Sequence, residues 1–114
     1  MVQGRTQEDA DRLLTQSLAL QEAGCFSIVL ETVVMEVAAK ITEKLEIPTI
    51  GIGSGAACSG QVLVWNDLIG LSDVSLRMVK EFGNVREVLQ NAAASYVNEV
   101  HKSTFPTEEH GWKK

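Results

Sequence analysis

Two hydrophobic periods alternate along the chain. From Ala10, apolar or small residues return at Leu13, Leu14, Ser17 and Leu18, the spacing of one helix face. Met1 to Arg5 is a short lead, and Thr6 with Asp9 predicts a capping box at the helix start. Glu8 and Asp9 suit the positive end of the helix dipole, and Gly24 predicts its end. The run Phe26-Ser27-Ile28-Val29-Leu30-Glu31 is continuous rather than alternating, which predicts a strand covered on both faces. Val34, Val37, Ala38, Ile41 and Leu45 return to helical spacing and predict a helix over about 33–45. Ile47-Pro48 stops it, and Thr49-Ile50-Gly51-Ile52-Gly53 reads as the next strand, with proline tolerated at its start.

This α-β-α-β order predicts a parallel sheet, whose strands need long crossovers. The segment 60–69 is ambiguous. Val62-Leu63-Val64-Trp65 has strand propensity, but it begins only a short loop after Gly53. The crossover rule favours a short helix with Ser59 as N-cap and Gly70 after its end; a strand stays open. The next strand is then expected at Arg77–Phe82. Asn84 caps a final helix over about 85–102, with Val85, Val88, Leu89, Ala92, Ala93, Tyr96 and Val100 facing inward. Phe105-Pro106 ends it. Residues 1–106 thus read as successive βα units, and 107–114 as a loosely held polar tail.

At 114 residues and 45% hydrophobic content, the chain can bury a modest core. Its net charge of −5, without a basic patch, argues against a nucleic-acid surface. No apolar run is long enough to span a membrane, and no signal peptide is visible. Cys25 and Cys58 sit in no metal or redox motif, so both read as inert free thiols, suiting a reducing, cytoplasmic compartment.

One residue stands out chemically. Glu31 ends a buried apolar strand, where an α/β protein presents its catalytic groups. Partial desolvation there would raise its pKa toward the range useful to a general base. A strand-end glutamate paired with Lys or Arg is the alternative. Gly51-Ile52-Gly53-Ser54-Gly55 could cradle an anion, but it matches neither dinucleotide nor Walker patterns, and a tight turn is the simpler reading. His101 and His110 have no ligand-spaced partners and read as surface residues. Asn66 and Asp67 read as a helix-end turn. No acids gather at metal-ligand spacing.

Several blocks run in the order of a known family: Val2-Gln3-Gly4-Arg5, Val29-Leu30-Glu31, Ile47-Pro48-Thr49-Ile50-Gly51-Ile52-Gly53, Gly60-Gln61-Val62-Leu63-Val64, and Phe105-Pro106 with Glu109-His110. With these blocks the chain resembles the C-terminal part of the ketopantoate hydroxymethyltransferases. The resemblance implies an α/β fold, the C-terminal portion of a (β/α)8 barrel. It implies transfer of a hydroxymethyl group from 5,10-methylenetetrahydrofolate to 3-methyl-2-oxobutanoate in pantothenate biosynthesis, a divalent metal (usually Mg2+) that holds the keto acid, and a homo-oligomer. It also implies that Glu31 removes the C3 proton.

The family usually has Cys and Pro soon after this glutamate, where the chain has Thr32 and Val34. Ser59 replaces a frequent Asp, and Asn66 a His. The resemblance puts the metal ligands and most keto-acid contacts in the first half of the barrel, which needs about 250 residues. The chain alone is therefore expected to be inactive, as a fragment or one part of a split enzyme. The competing readings are a non-catalytic piece that pairs with another chain, and a small module binding a phosphorylated ligand at Gly51–Gly55.

Overall fold

A computed structural model describes residues 1–114. The chain divides into two compact units, Met1–Val64 with Leu76–Val79, and Trp65–Ser75 with Lys80–Lys114.

The first unit begins with α1 (Gln7–Glu22). Thr6 caps it by accepting the Asp9 amide, as the sequence predicts. The reciprocal half of the box is absent, because the Asp9 carboxylate instead accepts the Gly4 amide and pairs with Arg12. The Arg12 hydrogen bond first, and the Gly4 amide second, hold the Asp9 carboxyl below its ordinary range against a small opposing effect of burial. Gly24 follows the C-cap Ala23 at φ +96°, where a side chain would be strained.

Strand β1 (Ile28–Glu31) is shorter than the apolar run, with Phe26 outside it and 87% exposed. Helix α2 (Met35–Lys44) and strand β2 (Thr49–Ile52) follow, and β2 pairs in parallel with β1, Ile28 opposite Thr49 and Glu31 opposite Ile52. The core is Ile28, Leu30 and Val33 packed with Val37, Ala38, Ile41, Leu45 and Cys58. It lies on one side of the sheet. Along β1 Ile28 and Leu30 are buried while Val29 is 60% exposed, which corrects the expectation of cover on both faces. A continuous apolar run marks both faces as fit for burial, but the two helices of this unit supply only one layer. At the far end of α1, Gln21 Oε1 accepts the Glu46 and Ile47 amides and fixes the loop into β2.

The ambiguous segment proves to be both elements in turn. Strand β3 (Gly60–Gln61) pairs in parallel with β2, Ile50 opposite Gly60, and α3 (Trp65–Leu68) follows in the second unit. The crossover argument fails here because β3 is so short. The chain leaving Ile52 need retreat only two residues, about 7 Å at the usual strand rise, so no helix is needed to bring it back. Ser59 does not cap a helix. It exchanges hydrogen bonds with Thr49, its Oγ accepting the Thr49 amide at 3.1 Å and its amide donating to Thr49 Oγ1 at 3.2 Å. Thr49 Oγ1 also meets Thr42 Oγ1 at 2.8 Å, so hydroxyls gathered on the buried Thr49 hold the start of β2.

Residues 77–82 are not a strand, since no neighbouring segment offers them a ladder. Leu76–Val79 instead forms a turn closed by the Val79 amide on the Leu76 carbonyl. In the second unit, α4 (Val85–His101) is capped by Asn84 as predicted. Its expected inward face has no cover: no residue of α4 is buried, and Val88, Leu89, Tyr96 and Val100 are all exposed. Amphipathic spacing shows which face a helix can bury, not what is there to cover it. The last residues carry a 3-10 turn (Glu108–His110), and the Phe105 ring packs against Tyr96 and His110. No helix of the chain is long and apolar enough to cross a membrane.

Candidate functional site

The carboxyl ends of β1 and β2 open into one cavity of about 1040 Å³, lined entirely by the first unit. Three segments surround it: Thr32–Glu36 after β1, the Gly53–Ala56 turn after β2, and the N-terminal residues Met1, Val2 and Arg5. Cys58 to Gln61 and Leu76 to Met78 complete the wall.

Glu31 stands at the last position of β1, beside this cavity but not among its lining residues. Its side chain alternates with Leu30 and so shares the face of Val29, opposite the helices. It is exposed, and no hydrogen bond or ion pair engages its carboxylate. The expected desolvation is therefore not provided by this chain, because the face that carries Glu31 is the uncovered one.

What the chain does provide is a fixed turn after Glu31. The Ser54 hydroxyl is fully buried; it donates to the Leu30 carbonyl at 2.7 Å and accepts the Val33 amide at 3.0 Å. These two bonds bracket Glu31 and Thr32. Between them, Thr32 takes φ +55°, a left-handed conformation rare for a β-branched residue. Thr32 is tied on both sides, its amide to the Ile52 carbonyl and its own carbonyl to the Gln3 amide, both at 2.9 Å. The Val34 amide closes the set on the Gln3 carbonyl at 3.0 Å, making a parallel bridge between Gln3 and Val33. Backbone strain maintained by this many bonds is characteristic of functional turns.

The glycine-rich turn is not an open anion cradle. A Cβ on Gly53 would lie 2.6 Å from Met78 Sδ, and one on Gly55 would lie 2.7 Å from Met35 Cγ. Methionine side chains already occupy the space, so these glycines serve close packing. Gly51 is equally constrained, with Cys58 Sγ 2.9 Å from where its Cβ would be. Cys58 is buried in the core, whereas Cys25 is half-buried.

The other candidates lie in the second unit. Asp67 accepts the Ser72 hydroxyl and the Asn66 carbonyl accepts the Leu71 amide, a local helix-end turn. His101 ends α4 on the surface, and His110 Nδ1 lies 2.8 Å from Thr107 Oγ1, also exposed. No three His, Cys, Asp or Glu side chains converge anywhere in the chain. Sequence reasoning missed Ser54, Thr32 and the cavity arginines, Arg5 and Arg77. Thr32 carried a faint signal, since it stands where the resembled family has Cys, but nothing in a local pattern reveals a positive φ.

Comparison with known proteins adds an independent finding. The family described as ketopantoate hydroxymethyltransferase matches residues 1–108. The 3-methyl-2-oxobutanoate hydroxymethyltransferase of Geobacter sulfurreducens is 50% identical over 112 residues, covering 97% of this chain and 42% of that protein. The proteins of the same description from Thermotoga maritima and Chloroflexus aggregans are 51% and 53% identical over 112 and 110 residues, covering 97% and 96% of this chain and 42% and 39% of their own lengths. The chain thus spans about two fifths of the relatives it matches.

Proposed function

The chain belongs to the ketopantoate hydroxymethyltransferase family, and from that premise we propose that it supplies the general base of a 3-methyl-2-oxobutanoate hydroxymethyltransferase. The base is Glu31. The observation that carries this reading is the direction of its side chain. In a (β/α)8 barrel the helices cover the outside, and catalytic groups project inward from the C-terminal ends of the strands. Glu31 is at such an end and on the face away from α1 and α2. The exposed face of β1 is then the barrel lumen, covered in the complete enzyme by strands that these residues do not include.

In this role the Glu31 carboxylate takes the proton from C3 of 3-methyl-2-oxobutanoate. The resulting carbanion attacks the methylene carbon of 5,10-methylenetetrahydrofolate. The two C–N bonds of that carbon give way to one C–C bond and, from water, one C–O bond, releasing tetrahydrofolate and 2-dehydropantoate. The Ser54 and Gln3 bonds keep the base at a fixed position on its strand, which proton transfer requires. The family resemblance also implies Mg2+. The residues of this chain do not fit a site for it, because no metal-binding cluster gathers among them. The part assigned to this chain is the proton transfer.

The test uses a chimera in which the preceding part of the Geobacter sulfurreducens relative is joined to this chain. Deuterium uptake at C3 of 3-methyl-2-oxobutanoate in D2O is followed by proton NMR, without folate. Uptake that is lost in Glu31→Gln, with folding unchanged, supports the reading; uptake that persists in Glu31→Gln refutes it. The exposed apolar face of α4 favours a second reading, a non-catalytic piece that pairs with another chain. A folded chimera without exchange would favour that one.

A further inference from the structure

The last residues of the chain close on themselves through one titratable side chain. Thr107 and His110 bracket the 3-10 turn Glu108–His110 as a capping box. The Thr107 side chain accepts the His110 amide, and His110 Nδ1 accepts the Thr107 amide at 3.2 Å. Nδ1 also lies 2.8 Å from Thr107 Oγ1. The usual residue in the place of His110 is Glu or Gln, whose side-chain oxygen accepts the returning bond. An imidazole nitrogen accepts only while it carries no proton. The bond from the Thr107 amide therefore requires a bare Nδ1, with the ring proton on Nε2.

The same ring covers Phe105. Their centroids are 4.9 Å apart, and Phe105 in turn meets Tyr96 of α4 edge-on at 5.7 Å. The box thus ties 107–110 to α4 through a stack of three rings, all within the second unit. No ion pair engages the imidazole. In its own turn, Glu108 is paired with Lys113 at 2.8 Å, and Glu109 is exposed. On α4, the element packed against it through Phe105, Tyr96 meets Phe105 rather than the imidazole. Glu99, His101 and Lys102, at the end of that helix, form no side-chain hydrogen bond or ion pair with His110. Thr107 is thus its one polar partner.

We propose that this box is a pH-sensitive latch, in which protonation of His110 releases the turn at 107–110 and with it the residues that follow. An imidazolium has N–H donors at both nitrogens, so the Thr107 amide would face a donor where it now meets an acceptor. The turn is exposed, and water can take over the freed amide. The turn therefore opens rather than holding an unpaired group. Order is present above the His110 titration and lost below it. The change is local, since no residue of the buried core takes part.

The experiment is a pH titration of the 15N-labelled full chain followed by NMR. At the upper end of the range, the His110 ring should show a bare Nδ1 and a protonated Nε2. As the pH falls, the Thr107 amide resonance should move with the midpoint of the His110 ring. Its protection, measured against an unstructured chain at the same pH, should fall about fivefold, the loss of one net hydrogen bond. The heteronuclear NOE of residues 108–112 should drop over the same range. His110→Gln puts a non-titrating acceptor in the same position and should stay ordered throughout. His110→Ala should be disordered throughout. His101→Gln, at the chain's other histidine, should leave the transition unchanged. A neutral ring with its proton on Nδ1, or a Thr107 amide that does not follow the His110 ring, would overturn the latch. So would a turn that opens with the same midpoint in His110→Gln, which would assign the change to Glu108 and Glu109.

Discussion

Replacing Ser54 by alanine tests the frame that holds the candidate base. The hydroxyl is fully buried and has two partners, the Leu30 carbonyl and the Val33 amide, whose residues are each 5% exposed. Water cannot readily take its place. A net hydrogen bond contributes about 1 kcal/mol, and a buried amide left unpaired costs about 1–3 kcal/mol more. The cavity left by one oxygen adds little. The expected loss is therefore about 2–3 kcal/mol, a large part of the ~5–15 kcal/mol that holds a typical domain. At a urea dependence of about 1.5 kcal/mol per molar, the unfolding midpoint should fall by about 1–2 M. Hydrogen exchange followed by NMR gives the local reading: the Val33 amide should lose protection in Ser54→Ala. A stability change below about 0.5 kcal/mol, together with an unchanged Val33 exchange rate, would refute this account of the turn.

Other substitutions probe different physics. Thr32→Asn should raise stability by about 0.5–1 kcal/mol in a urea titration, because asparagine tolerates the left-handed backbone that a β-branched residue resists; a loss would show that Thr32 is not strained. Gly70→Ala and Gly24→Ala impose the same kind of backbone strain but meet different surroundings. A Cβ on Gly70 would lie 2.5 Å from the Gly83 carbonyl oxygen, whereas one on Gly24 meets nothing within 4 Å. Gly24→Ala should cost about 1 kcal/mol and Gly70→Ala at least about twice that; equal costs would show that the Gly70 contact relaxes freely. Asp9→Asn should destabilise the chain at neutral pH. The folded Asp9 carboxyl titrates below its ordinary value of 3.8, so its contribution is present above that value and lost as the pH falls through the folded one. Melting curves of variant and parent should converge in acid, and a gap that persists there would contradict the Arg12 and Gly4 interactions as its source.

The helices were legible because their signals are local. Thr6, Gly24 and Asn84 mark ends by the chemistry of single side chains, and each marks the end it was read to mark. The order of β1, α2 and β2 followed from the change in hydrophobic period. The failures share a different cause. Cover on both faces of β1, a strand at 77–82 and a buried face on α4 all depend on what stands beside an element, which its own spacing does not encode. In segment 60–69 the short helix before Gly70 is present but its start at Ser59 is not, because the crossover argument ignored that the length of a crossover depends on strand length and register. At the site, Glu31 was legible as the acid ending an apolar run. Ser54 was not, because its partners are 24 and 21 residues away and it holds backbone atoms of a conformation that sequence alone does not announce.

The bridge between Gln3 and Val33 also links the Glu31 turn to the start of the chain. It joins residues thirty positions apart, and closing a flexible loop of that length costs about 3 kcal/mol of chain entropy. In the folded chain α1, docked on α2, spans much of that separation. The Gln3 bonds to the turn are therefore coupled to the docked helices, whereas the Ser54 bonds and the Thr32 amide bond to Ile52 do not depend on the N-terminal residues. Loosening the N-terminal residues would remove the Gln3 bonds and leave the Ser54 and Ile52 bonds alone to hold the turn beside Glu31, so the first few residues of the chain bear on a position they do not touch.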